Sequence, residues 1–314
     1  MKKNYNELAM ILNYTSSVWG ASKTDREVSD EIIEQKRATT KKAGRFVKHL
    51  LAGDCPQLKA LTNHVQGFHN WIRSVAFPAS NTVRGSVIVP NGKILEIAQE
   101  CRRFQVQFGN LVQVFLDSYE EIVENAKAQL VDLASDDYPS KEAVRHKFDF
   151  KFWFSPIPES SDFANKLGIT ELEQMLQDQY DKQIETTFKE GEDQLRELLK
   201  ARLIKMYEAL TNFTGNGKGS STALNERAIE AARDEFERIR SLNLRGSQDI
   251  RSWCSRALQI INRQGREYRN SAPLRHQTAE EIETLLADMG HMVNHRIEER
   301  AQVTSYADLF TGYN

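Results

Sequence analysis

Cysteine, proline and glycine are all scarce in this chain. Its three cysteines, Cys55, Cys101 and Cys254, stand far apart in 314 residues and form no C-x-x-C pair. That argues against a disulfide framework or a structural zinc site and predicts reduced, buried thiols in a cytosolic setting. Seven prolines and 16 glycines argue against a loop-rich β protein. No stretch approaches the ~20 apolar residues needed to span a bilayer. Met1–Tyr5 carries two lysines but no apolar run of signal-peptide length. A charge excess is missing too. There are 42 Lys+Arg against 44 Asp+Glu, a net charge of −2, whereas a protein that coats nucleic acid over its whole surface is strongly basic. The expectation is a soluble protein of the cytoplasm that does not engage a membrane.

Catalytic signatures are missing as well. There is no G-x-S-x-G elbow, and no cysteine has a plausible histidine partner nearby in sequence. Gly217-Lys218 lies in a glycine-rich stretch, but a phosphate loop needs Ser or Thr after the lysine and a strand before the loop. Here Gly219 follows and a helical pattern precedes, so the stretch reads as a linker. His291 and His295 share one helix face, but the residues between them include no glutamate in zinc-protease spacing. His64 and His69, five apart, point in different directions and read as packing residues. No catalytic residue, cofactor or metal follows from the sequence.

What is present is apolar residues at helical spacing. Residues 5–19 carry Leu8, Ile11, Leu12 and Val18-Trp19, and 25–52 carry Val28, Ile32, Ile33, Phe46, Val47 and Leu50, so both read as helices. Helices are also expected over 57–76, over 92–134 with about ten turns of stripe, over 161–213, and near 222–243, 247–268 and 278–299. Ser140 can cap a helix of one or two turns, Ser247 is a plausible N-cap, and Thr278-Ala279-Glu280-Glu281 has the capping-box pattern. Ser86-Val87-Ile88-Val89 and Phe148-Asp149-Phe150-Lys151-Phe152-Trp153-Phe154 read as strands, the second from phenylalanine at alternate positions. Pairing 84–89 with 148–154 gives a small two-stranded sheet. The 161–213 helix, a rod of roughly 75 Å at ~1.5 Å per residue, needs a partner; 92–134 is the intramolecular candidate.

The fold class predicted is therefore mainly α: an elongated helical bundle with a long antiparallel coiled-coil-like hairpin and a small β element. Gly215–Ser221 marks a flexible linker, giving a helical domain over 1–213, a linker over 214–221 and a C-terminal helical region over 222–314.

Charge is uneven along the chain. Lys36, Arg37, Lys41, Lys42, Arg45 and Lys48 come with no acid among them, and Arg37, Lys41, Arg45 and Lys48 would share one face of the 25–52 helix. Residues 223–275 hold 11 arginines, no lysine and seven acids, and arginine suits bidentate contacts to phosphate or carboxylate. Arg37, Lys41, Arg45, Lys48, Arg256, Arg263 and Arg266 are the candidate contacts to phosphate or to a partner. Salt bridging within or between subunits is the competing reading of the same residues.

Two stretches carry a resemblance. One is Val18-Trp19-Gly20-Ala21-Ser22-Lys23 with Lys41-Lys42-Ala43-Gly44-Arg45. The other is Asp137-Tyr138-Pro139-Ser140, Lys147-Phe148-Asp149-Phe150, Phe154-Ser155-Pro156-Ile157-Pro158 and Asp162-Phe163. Together, over roughly residues 15–210, the chain resembles a family of uncharacterised bacteriophage and mobile-element proteins often encoded beside a MoxR-type AAA+ ATPase and a von Willebrand A-domain protein. The resemblance implies a phage source, host-cell cytoplasm, and an accessory role in an ATPase-driven machine or in phage DNA metabolism; it carries no catalytic residues. The function expected is that of a non-enzymatic oligomeric scaffold or adaptor, partnered by itself, by an AAA+ ATPase or by another phage or host protein. The alternative is a nucleic-acid-binding protein using basic helix faces.

Overall fold

The computed structural model describes residues 5–37, 39–40, 42–52, 55–78, 85–133, 138–159, 170–213 and 224–290. Helical residues make up 69% of these, in line with a mainly α fold. The chain divides into two compact units, one of Met10–Ser74 with Val83–Pro156 and one of Met1–Ala9, Val75–Thr82 and Ile157–Asn314.

The first unit holds, in chain order, β1 (Ala9–Ser17), β2 (Ser22–Asp25), α1 (Arg26–Gln35), β3 (Phe46–His49), α2 (Pro56–Val75), β4 (Ser86–Pro90), α3 (Ile94–Asp117), α4 (Tyr119–Leu130), α5 (Lys141–Arg145) and β5 (Asp149–Pro156). The helix expected over 5–19 is instead the strand β1. It pairs antiparallel with β5 from Met10↔Pro156 to Ser17↔Asp149 and is the middle strand of a sheet ordered β4-β1-β5. The two expected strands form as β4 (Ser86–Pro90) and β5 (Asp149–Pro156), but β1 lies between them, so the two-stranded sheet expected from their direct pairing is replaced by a three-stranded one. Asn13 ties the sheet across. Its amide nitrogen donates to Ser155 Oγ at 2.9 Å, and its amide oxygen accepts from Ser86 Oγ at 2.7 Å.

Phenylalanine alternation in β5 works as its spacing requires: Phe150 is buried while Lys151 and Trp153 face out. Phe150 meets Phe68 of α2 edge-on at 4.8 Å and Phe108 of α3 at 5.5 Å. Tyr14 from β1 meets Phe68 at 5.3 Å. These aromatic contacts join sheet and helices into one core. The expected 92–134 helix is present as α3 and α4, divided at Ser118. That hydroxyl donates to the Val114 carbonyl at 2.9 Å, a back-bond that bends helices.

The helix expected over 25–52 is also corrected. Asp25 caps α1, which stops at Gln35; Arg37 takes a left-handed φ of 54°. The chain then returns as β3, pairing with β2 from Ser22↔His49 to Asp25↔Phe46.

The second unit holds α6 (Thr170–Thr211), α7 (Glu226–Ser241), α8 (Gln248–Ile260), α9 (Gly265–Asn270) and α10 (Ala272–Asp288). Phe188, Leu195, Leu199, Leu203, Met206 and Leu210 form the buried stripe of α6, and α10, α7 and α8 pack along this helix. The two helices expected to form a hairpin thus fall in different units, while α6 shares its unit with the C-terminal helices. Gly191 sits inside α6 because the Phe77 ring and the Pro78 carbonyl lie where its side chain would be. Phe77 in turn packs on Phe188 at 5.3 Å. α10 starts earlier than the Thr278 pattern suggested. Ser271 is its N-cap, accepting from the Leu274 N–H at 3.2 Å, and Thr278 is buried, donating to the Leu274 carbonyl. Ser140 and Ser247 do stand at the N-caps of α5 and α8, although only Ser140 makes the side-chain bond. The linker 214–221, with Gly217 and Lys218, and His291 and His295 lie outside the described residues.

Candidate interaction surfaces

The basic cluster of residues 36–48 does not form one helix face. Arg37 follows the end of α1, Lys41 lies outside the described residues, and Arg45 precedes β3; Arg37 and Arg45 are exposed. Lys48 is buried, with 6% of its side chain exposed, and its ammonium lies 3.4 Å from Asp25 Oδ2. The spacing that suggested a shared face belongs to a helix that ends before most of these residues.

The arginine-rich last third is largely engaged within its own unit. Arg245 bridges Glu185 at 2.8 Å and Glu192 at 3.0 Å, and Arg202 reaches Glu235 at 3.3 Å. Arg233 donates to the carbonyls of Ile261 and Arg263. Arg275 donates to Tyr268 and Arg269 carbonyls and covers the Phe213 ring at 4.6 Å. Among the candidate contacts, Arg256 is ion-paired with Asp288. Arg263 and Arg266 come together. Both are exposed and line an open concavity of about 630 Å³ with Glu267, Asn270, Ser271 and Leu274. These guanidinium groups spend their donors on carboxylates and backbone carbonyls of neighbouring elements.

Other titratable groups read as structural. Tyr5 donates to Glu185 Oε2 at 2.5 Å and stacks on Phe188 at 4.0 Å; burial, then that carboxylate, pushes its hydroxyl up to about 12. His64 contacts the Phe104 carbonyl at 2.9 Å. His69 lies against Ser16 Oγ at 3.4 Å, and burial, then Arg73, holds its imidazole below the ordinary value. All three cysteines are free and buried. Burial pushes the Cys101 and Cys254 thiols up to about 12. Cys55 lines a hollow of about 280 Å³ between the start of α2 and α4, with Leu51, Glu121 and Asn125. Among the described residues no group of three or more His, Cys, Asp or Glu is placed to hold a metal ion. None of the described helices is long and apolar enough to cross a membrane.

One surface was missed at the level of sequence. From Phe104 to Leu116, α3 carries no charge. Phe108, Phe115 and Leu116 face the core, while Val106, Gln107, Gly109, Asn110, Gln113 and Val114 face solvent. Val106 is 53% exposed and Val114 57%. An outward helix side normally carries charge, and in this chain 27% of residues are charged. The uncharged run was the available signal; the buried stripe beside it drew the reading toward core packing. No protein-family model, curated protein or solved structure matches this chain.

Proposed function

We propose that this chain acts by binding, as a non-enzymatic oligomeric scaffold or adaptor. The observation that carries the reading is the neutral, solvent-facing side of α3, where two branched aliphatic side chains stand open within an uncharged strip. Such a strip gains by being covered with another protein surface and has little to offer a phosphate backbone. The resemblance over residues 15–210 extends the proposal to its setting: the host-cell cytoplasm of a phage infection, with an AAA+ ATPase or another phage or host protein as the further partner.

A second reading, nucleic-acid binding, rests on Arg263 and Arg266, which lie exposed side by side at one concavity. Light scattering and DNA retention separate the two. Under the scaffold reading, the double reversal Arg263→Glu with Arg266→Glu leaves particle mass unchanged and any DNA retention weak before and after. Under the alternative, the native chain is held on DNA, salt releases it steeply because bound counterions are freed, and the double reversal abolishes retention.

A further inference from the structure

We infer that the free edge of β5 is a self-association surface, to which β5 of a second copy of this chain adds antiparallel about a two-fold axis at Phe152. This rests on the binding reading above and names a partner for it. The argument begins with the backbone. Each residue of a strand turns its N–H and C=O to one side, and successive residues alternate. In the middle strand β1, the Tyr14 N–H donates to the Gly85 carbonyl at 2.7 Å, toward β4. Phe152 stands opposite Tyr14, so its N–H and C=O turn away from β1, and those of Phe150 and Phe154 turn with them. The Phe150 carbonyl accepts from Gln105 Nε2 of α3 at 3.0 Å, a donor outside the sheet, as this orientation requires. Among the described residues no strand lies beyond β5. Phe152 and Phe154 thus present a row of backbone donors and acceptors that an extended strand matches.

The two edges of this sheet differ. β4 has five residues, of which Ile88, Val89 and Pro90 are buried. β5 has eight and holds Trp153 outward, 49% exposed, beside exposed Lys151. Natural edges are blunted by proline, by bulges or by charge. In β5 the proline comes only at the last position, the register with β1 is unbroken from Asp149 to Pro156, and Lys151 is held by Asp149 at 3.0 Å.

The sequence of β5 selects its own copy and the register. An antiparallel copy bonds only where outward-turned residues face one another, which admits axes at Lys151, Phe152 or Trp153. An axis at Lys151 sets ammonium against ammonium. An axis at Trp153 sets Phe150 against the partner's Pro156, which has no N–H to give. With the axis at Phe152, Phe150 bonds the partner's Phe154, Phe152 bonds its own copy, and all three N–H groups meet a carbonyl. Lys151 then lies directly across from the partner's Trp153, whose ring its stem and ammonium cover, and the reverse contact repeats it. Such an interface is isologous, closes at two subunits and joins the two sheets into one.

The flank of α3 from which Gln105 reaches this edge also carries Ala98 and Gly109, two turns before and one turn after it. No atom of the chain lies within 4 Å of where a Gly109 Cβ would stand. Small residues on that flank leave the helices of the two copies room beside the joined strands. A strand about 26 Å long buries less than the ~1,600 Å² of a standard interface, so the association is reversible and depends on concentration.

Sedimentation velocity of the full chain from low to high micromolar concentration tests this, with three proteins: native, Trp153→Lys, and Trp153→Lys combined with Lys151→Glu. Both positions are exposed, so far-UV circular dichroism and melting should match the native chain. The native chain is expected to shift toward the dimer as concentration rises. Trp153→Lys should weaken the dimer at least tenfold, because it sets lysine against Lys151 at both ends. The double variant should recover it, because the introduced glutamate of one copy faces the introduced lysine of the other. Hydrogen exchange gives a second readout: the Phe152 and Phe154 amides should slow as concentration rises. Under mild oxidant, Lys151→Cys with Trp153→Cys should give a covalent dimer, while a covalent dimer from Trp153→Cys alone would overturn the register. If the native chain associates but neither Trp153→Lys nor concentration-dependent exchange marks this edge, the surface is wrong while the binding reading stands. A native chain that stays monomeric overturns the inference, whether those amides exchange fast or are covered by the chain itself. The binding reading falls with it only if no other protein partner binds.

Discussion

The Lys48 ammonium lies 3.4 Å from one oxygen of the Asp25 carboxylate, while the other oxygen accepts the Val28 N–H at 3.2 Å and so caps α1. One side chain thus starts a helix and fixes a buried cation on the neighbouring strand. Asp25→Ala removes both roles and is expected to cost about 2–3 kcal/mol, of which the cap accounts for about 1. Asp25→Asn retains a capping acceptor and should cost less. Urea midpoints check the order; equal losses would show that only one role matters. Lys48→Met should lower stability without altering retention on DNA.

Gly191→Ala would normally stabilise a helix interior by about 1 kcal/mol. Here the new methyl meets the Phe77 ring and the Pro78 carbonyl, so a net loss of about 1–3 kcal/mol is expected. Gly265→Ala should behave alike, because its Cβ would come within 2.7 Å of the Leu224 carbonyl oxygen. Thermal unfolding of both variants measures this, and a raised midpoint would refute the packing.

His69 gives stability a pH dependence with a defined sign. Its folded value lies below the ordinary 6.5, so the unfolded chain takes up this proton first as pH falls. The contribution is whole above 6.5 and is lost as pH drops below it toward the folded value. Urea midpoints at about pH 7.5 and about pH 5.5 should therefore differ. His69→Gln should narrow the difference, and an unchanged difference would assign it to other groups.

Thiol reactivity should divide the cysteines. With Cys101 and Cys254 pushed up to about 12, almost no thiolate is present near neutrality, and thiolate is the reactive form. In the native chain an aromatic disulfide reagent should modify Cys55 first, since it lines a hollow and is 8% exposed against 0% for the other two; Cys101 and Cys254 should react only on unfolding. Early modification of Cys101 or Cys254 would contradict their burial.

Helices with a long apolar stripe at spacings of three and four were legible, which is why 57–76, 92–134 and the long helix ending near 213 emerge as α2, α3–α4 and α6. Residues 8–22 carry no charge at all. That fits a central strand with a neighbour on each side better than a surface helix, but Leu8, Ile11 and Leu12 mimic helical spacing. The order β4-β1-β5 followed that error, because the strand between the two foreseen ones was hidden in it. Likewise, the three- and four-residue spacing of Arg37, Lys41, Arg45 and Lys48 outweighed Thr39, Thr40 and Gly44, which disfavour a helix. Of the six candidate contacts among the described residues, Arg263 and Arg266 come together at an open surface. Arginines engaged with carboxylates on other helices look the same in sequence as arginines awaiting phosphate.

Light-scattering mass of the full chain, followed across concentration at low and at high salt, tests the central claim most directly. The expected result is a weight-average mass that climbs above 36.0 kDa with concentration and shifts little with salt, since backbone groups and the neutral side of α3, rather than surface charge, carry the association. A mass fixed at the monomer value at every concentration, together with retention on DNA that collapses as salt rises, would contradict it.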